Sequence, residues 1–496
     1  MHRIALCLPF VVSLACDAKP TDAKTEPKPD TKVDSKADAN PESKTDTEVE
    51  PKTDPKPGAA ATRLTGHVEL PGDQKLEFRA TLQPGDDGYS GTIDIPMQGA
   101  KGIALSKVTV TDSQIGFALE NGATWKGTIG DDGKIACSFS QSGMEMKCSM
   151  VLADDAAFAA LEPKRLQTPV APFPYDSKDI EWDAGEGVHL AGTVVTPKGA
   201  GPHPAVVFIS GSGQQDRDET LLGHKPFAVL ADKLARSGIA SLRYDDRGAG
   251  KSTGDLTMLT MTLEADDAAS ALDQLRKTDG IDPKRIGIVG HSAGGVIGPI
   301  VAAKRPKDVA FLVLIAGTGV VGKALHKKQA EALMKAGGAP QAEIDKASKT
   351  NEAVYKILAS DKSEEQRTAA LREILGESGI EGPAADLQVA ALNSVWFRDF
   401  LEHDPGPALE KTTCPVLVLN GELDMQVLAA QNVPAIEAAL AKGGNTDITV
   451  ERFPGFNHLL QAAKTGMPDE YATIETTMDP KAISVIDTWV RAKTGV

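Results

Sequence analysis

Arg285-Ile286-Gly287-Ile288-Val289-Gly290-His291-Ser292-Ala293-Gly294 decides how this chain is read. An apolar run reads as a strand, G-x-S-x-G follows at once, and Gly295 to Ala303 reads as a helix. A serine on so sharp a strand-to-helix turn projects its hydroxyl above the sheet. The helix N-terminus beneath it favours developing negative charge. The flanking glycines answer a steric need, because larger side chains collide in the turn. Alone, the pentapeptide is unspecific in a chain with 47 glycines. The strand before it and the helix after it make Ser292 a candidate nucleophile rather than part of an ordinary glycine-rich connection.

Outward from that turn, the pattern beyond residue 180 alternates between strands and helices. Candidate strands are Leu190–Val195, Ala205–Ile209, Ala240–Arg243, Arg285–Val289, Val309–Ile315, Pro415–Leu419 and Ile448–Arg452. Candidate helices between them include Pro226–Arg236, Leu263–Lys277 and Ala429–Ala441. Apolar strands alternating with amphipathic helices predict an α/β class fold over 180–496, with a mostly parallel sheet covered on both faces. Residues 320–408 interrupt the alternation with Ala-, Lys- and Glu-rich helical spacing, which predicts a helical cap over the strand ends.

The first 179 residues have a different character. Residues 62–153 alternate apolar and polar positions, punctuated by Asp87-Gly88, Asn121-Gly122 and Asp132-Gly133, and predict a small antiparallel barrel or sandwich. Residues 154–179, rich in Pro and Ala, read as a linker. Residues 17–61 are charged and Pro-rich with almost no large apolar side chain; such a stretch cannot bury a core and reads as a disordered tether. Residues 1–16 read as an export signal, and Val12-Ser13-Leu14-Ala15-Cys16 resembles a bacterial lipobox with Ser13 where Leu is usual. Lipidation of Cys16 would hold the chain at a membrane surface; simple secretion with cleavage near Ala15 is the alternative. Export also permits a disulfide between Cys137 and Cys148, which flank a candidate hairpin.

A net charge of −16 and 4% aromatic residues argue against a nucleic-acid partner. No cysteine pair has zinc-ligand spacing, and neither a metal nor an organic cofactor is implied. Gly248-Ala249-Gly250-Lys251-Ser252 looks like the end of a phosphate-binding loop, but Asp245 stands where the first glycine belongs.

Serine attack on an acyl carbon needs a base, an acid that orients it, and oxyanion donors. His458, just past the last candidate strand, is the best base. His224, His326 and His403 are poorer, since the first precedes the nucleophile and the others fall in the cap. Asp424 in Asn420-Gly421-Glu422-Leu423-Asp424 is the best orienting acid, with Glu422 its competitor. The oxyanion donors are the amides of Ala293 and of the Ser210-Gly211-Ser212-Gly213 loop. Within that loop Ser212 is preferred and Gly211 is the alternative.

Taken together, Phe208 to Gly213, Gln215-Asp216-Arg217-Asp218, Arg243 to Gly248, Gly290 to Gly294, Asn420 to Asp424 and Asn457-His458 resemble bacterial α/β-hydrolase carboxylesterases of the EstD type. The likeness covers about 180–495, and residues 64–150 resemble the β-rich domain often fused before such enzymes. It implies an α/β-hydrolase fold and a Ser292–Asp424–His458 triad acting on carboxylic esters through an acyl-enzyme. The family commonly carries Glu where this chain has Ala293. Two other readings stay open: a serine peptidase of the same fold, and an inactive surface-binding lipoprotein. No paired-acidic motif for a peptide amine is visible in the sequence.

Overall fold

The computed structural model describes residues 61–70, 74–86, 88–96, 100–130, 134–141, 144–160 and 164–496. The signal, Cys16 and the charged tether lie outside the described residues, apart from residue 61. The chain divides between residues 162 and 163 into two compact units.

The first unit is one antiparallel sheet of nine strands. These are β1 (Thr62–Leu70), β2 (Gln74–Gly85), β3 (Gly88–Ile95), β4 (Ala100–Ala104), β5 (Ser106–Val110), β6 (Gln114–Ala118), β7 (Thr124–Ile129), β8 (Lys134–Gln141) and β9 (Met144–Leu152). Their order is β4-β3-β2-β1-β9-β8-β7-β6-β5, so the two edge strands are consecutive in the chain. The sheet therefore curls into a near-barrel rather than splitting into a sandwich. Phe78, Phe117 and Trp125 fill its interior. Alternate residues of each strand point inward, as the period of two requires. Cys137 and Cys148 face each other across β8 and β9, 5.0 Å apart at Cα, and are joined by a disulfide. A short helix, α1 (Asp155–Ala160), follows β9.

The second unit is a mixed sheet of eight strands covered by helices on both faces. Its strands are β10 (Tyr175–Gly185), β11 (Val188–Pro197), β12 (His203–Ile209), β13 (Ala240–Tyr244), β14 (Ile281–His291), β15 (Leu312–Ile315), β16 (Val416–Gly421) and β17 (Ile448–Phe453). They order as β10-β11-β13-β12-β14-β15-β16-β17, parallel from β13 to β17 with β10 and β11 antiparallel. Side-chain alternation divides the core cleanly. Val207, Leu314 and Val418 face one layer, built from α3 (Met261–Arg276), α4 (Gly294–Lys304) and α11 (Ala429–Lys442). Phe208, Ile315 and Leu419 face the other, built from α2 (Pro226–Arg236) and α12 (Pro480–Thr494). Each such fully buried side chain contributes about 1.5–3 kcal/mol.

Strand β10 is a correction to the sequence reading, which ran the linker through residue 179. Its outer positions carry Asp, Ser, Lys and Glu and stay largely exposed. An edge strand so charged has no apolar run to betray it. Between β15 and β16 six helices, α5 to α10, span Gly322–Glu410. Val354, Leu371, Leu392 and Phe397 give four of them, α6 (Gln341–Leu358), α7 (Glu364–Glu377), α8 (Gly382–Asn393) and α9 (Val395–Glu402), a small core of their own.

Candidate active site

Ser292 sits between β14 and α4 with φ +53°, a left-handed conformation costly for a residue with a side chain. The glycines explain how the turn closes. A Cβ on Gly290 would lie 2.1 Å from the Gly294 carbonyl, and one on Gly294 would lie 2.2 Å from the Ile209 carbonyl. The Ser292 N–H donates to the Ile315 carbonyl, tying the turn to β15.

Asp424 and His458 come from the loops after β16 and β17. His458 Nδ1 lies 2.8 Å from Asp424 Oδ2, and both residues are buried. The Asp424 carboxylate also accepts from Asn420 Nδ2 at 3.0 Å and from the Gln426 and Val427 N–H groups at 2.8 Å. Four donors converge on one carboxylate, which satisfies it in the charged form. Glu422, the competing acid, is half-exposed and pairs with Arg452. The His458 loop is self-braced, with Asn457 Oδ1 accepting from the N–H groups of Leu459 and Gln461.

Among the described residues no hydrogen bond joins Ser292 Oγ to His458. Such contacts are commonly long without substrate and tighten when it binds. The two loops are nonetheless neighbours: the rings of His291 and His458 lie 4.7 Å apart, and His291 Nε2 is 3.2 Å from the His458 carbonyl.

The oxyanion loop requires one correction. The Gly211 N–H, the alternative donor, is taken: it donates to Glu219 Oε1 at 2.6 Å. The Ser212 and Ala293 N–H groups have no hydrogen-bond partner among the described residues, the condition an oxyanion donor needs. The loop presses on Ser292 closely enough that a Cβ on Gly211 would meet Ser292 Cβ at 3.3 Å. Asp246 braces it from below, accepting from Ser210 Oγ and the Gln215 N–H. Burial drives the Asp246 carboxyl well above its usual range, against those two hydrogen bonds.

The run Gln214 to Asp218 is a brace as well. Arg217 binds Asp245 through Nε and Nη2, and Arg243 pairs with Asp218. The Lys251 N–H donates to Asp245, and Ser252 Oγ donates to its carbonyl, so the decoy phosphate-loop sequence forms a structural turn. Two of the rival histidines, His224 and His326, are engaged elsewhere. His224 is buried between Thr477 and the Tyr471 carbonyl, and burial pushes its pKa down to about 4. His326 contacts the Tyr355 hydroxyl in the cap, and burial takes it to about 4 as well.

A cleft of about 420 Å³, open mouth included, lies beside the Ser210–Gln214 loop. Tyr244, Leu259, Ile297, Asp246, Glu264 and Asp267 contribute to its walls. Sequence reasoning missed this grouping of carboxyls, and it missed the contact between His291 and Glu219. The quoted charged run stopped one residue short of Glu219.

Residues 186–452 match the family model described as X-Pro dipeptidyl-peptidase (S15 family). The chain is 28% identical over 323 residues to Esterase EstD of Thermotoga maritima, which covers 65% of this chain and 69% of that one. Among solved structures, an esterase of Pyrococcus furiosus is 17% identical at a TM-score of 0.37, covering 56% of this chain and 83% of its own. A dienelactone hydrolase of Anabaena variabilis is 18% identical at a TM-score of 0.34, covering 64% and 96%.

Proposed function

The chain belongs to the S15 family of α/β-hydrolases, and within that hydrolase family we propose that it works as a serine carboxylesterase. The observation that carries this is the buried Asp424–His458 pair beside a serine held at positive φ. Ser292 Oγ attacks the ester carbonyl carbon while His458 Nε2 takes its proton. Asp424 holds Nδ1–H and stabilises the imidazolium so formed. The Ser212 and Ala293 amides receive the oxyanion. His458 then returns the proton to the departing alkoxide, leaving an acyl-enzyme. Water, deprotonated by His458, attacks that ester and frees the acid and Ser292. The residues present supply every proton transfer in this cycle.

Family membership favours a second reading, cleavage of a peptide bond after an N-terminal pair of residues. Against it, the cleft carboxyls that could hold a free amine are already engaged. Asp267 pairs with Arg247, Glu264 accepts from Trp396 Nε1, and Asp246 holds the oxyanion loop. Purified protein given p-nitrophenyl esters of graded acyl length and an X-Pro p-nitroanilide separates the two. Faster turnover of the esters supports the carboxylesterase, and faster turnover of the anilide overturns it.

The same proposal places the enzyme outside the cytoplasm. A lipid on Cys16 anchors it, and residues 17–61 are the tether that holds the folded part off the bilayer.

A further inference from the structure

Glu219 is a costly residue to keep where it is. It has φ +53° with a full side chain, it is 95% buried, and its Oε2 has no hydrogen-bond partner among the described residues. Strain and an unsatisfied buried carboxylate oxygen both lower stability. Residues kept at such cost cluster where a site must be held in one geometry.

Its other oxygen shows what is held. Glu219 Oε1 accepts from the Gly211 N–H at 2.6 Å and meets His291 Nδ1 at 2.8 Å. His291 Nε2 in turn faces the His458 carbonyl at 3.2 Å. Both ring nitrogens therefore face acceptors, and only the imidazolium can donate to both. Burial alone lowers the pKa of His291, but the Glu219 charge, its hydrogen bond and the His458 carbonyl together raise it above the usual value. The pair thus spans three segments that share no covalent neighbourhood: the oxyanion loop, the nucleophile turn and the base loop.

We infer that Glu219 and His291 form a positioning ion pair that locks the oxyanion loop and the His458 loop onto the Ser292 turn. By engaging the Gly211 N–H, Glu219 fixes the Ser210–Gly211 peptide plane, one before the plane that carries the Ser212 N–H, and leaves the Ser212 amide to face the substrate. Through His291 it fixes the backbone of the general base. Neither residue touches the reacting atoms; they set the distances between groups that do. This rests on Ser292 being the nucleophile.

The test compares the full-length wild type with Glu219→Gln, Glu219→Asp and Ser292→Ala on a short-chain p-nitrophenyl ester. Rates are expressed per active serine counted with a fluorophosphonate. Glu219→Gln keeps an acceptor but removes the charge that holds the imidazolium. It is expected to lower kcat at least tenfold per labelled serine with KM within twofold, and Glu219→Asp to recover part of that loss. A merely structural role would reduce the number of labelled sites and leave kcat per site unchanged; that result overturns the inference. If Glu219→Gln does not accumulate folded, His291→Gln carries the same test with the same expectation. Retained turnover in Ser292→Ala removes the nucleophile reading and this inference with it. Retained kcat per site in the Glu219 and His291 variants, with Ser292→Ala inactive, removes the inference alone.

Discussion

Replacing Asp424 by Asn changes one atom and separates the role assigned to this residue from its packing. In the wild type, Asp424 Oδ2 faces two donors, His458 Nδ1 and Asn420 Nδ2, while Oδ1 accepts from two backbone N–H groups. An Asn side chain can satisfy only one of these sides. With its oxygen kept on the Gln426 and Val427 amides, its NH2 points at Asn420 Nδ2 and His458 Nδ1. His458 must then present Nδ1 as an acceptor, which moves its proton to Nε2, the atom that has to receive the serine proton. The same exchange in the Ser-His-Asp template lowers kcat about 10⁴-fold, or about 5.4 kcal/mol of barrier. The Asn420 amide is left facing another donor in a buried site, which costs a further 1–3 kcal/mol or so of stability. The assay is kcat and KM on a short-chain p-nitrophenyl ester alongside thermal unfolding, with Glu422→Gln as the control. Asp424→Asn is expected to lose about four decades of kcat with little change in KM, and Glu422→Gln to match the wild type. A kcat for Asp424→Asn within tenfold of wild type, or a large loss in Glu422→Gln, refutes the assignment.

One further outcome follows from the structure and another from the proposed anchor. Burial lifts the Glu264 carboxyl to about 7, with Asp267 and Asp399 adding to the rise while the Trp396 hydrogen bond and Arg247 oppose it. Between its ordinary value of 4.5 and about 7, the folded state keeps this proton and the unfolded chain does not, so stability falls as pH rises through that window. Glu264→Gln keeps an acceptor for Trp396 and cannot ionise. Relative to wild type it should gain about 3 kcal/mol of stability from pH 4.5 to above 7 in urea unfolding, and a constant difference across that range would count against the reading. Cys16→Ser should move the protein from the membrane fraction to the soluble exported fraction with esterase turnover intact; retention on membranes would remove lipid anchoring at that residue.

Much of the site was legible because its requirements are local. The glycines at 290 and 294 are forced by backbone contacts of about 2 Å inside a single turn, so the pentapeptide and its flanking strand carry the information. The order Ser292, Asp424, His458 follows the strand order of the sheet, and loops at the strand ends are visible as polar breaks after apolar runs. Asp424 was preferred over Glu422 from the sequence, but only the structure separates them, because two residues of loop backbone decide which carboxyl turns inward. The Gly211 alternative failed for a tertiary reason: the acceptor that takes its N–H is eight residues away and reaches back through a left-handed turn at Glu219. The partner of His291 lies 72 residues upstream, beyond any local pattern. Strand β10 escaped notice because its exposed face carries charge, whereas the buried strands β12, β14 and β15 announced themselves as apolar runs.

The most direct measurement is the intact mass and peptide map of the protein after reaction with a fluorophosphonate, with ester turnover followed in parallel for wild type and Ser292→Ala. The account predicts one phosphonyl adduct per chain, mapped to Ser292, with turnover lost in step with labelling and both absent from Ser292→Ala. An adduct on another residue, or ester turnover that survives in Ser292→Ala, would contradict it.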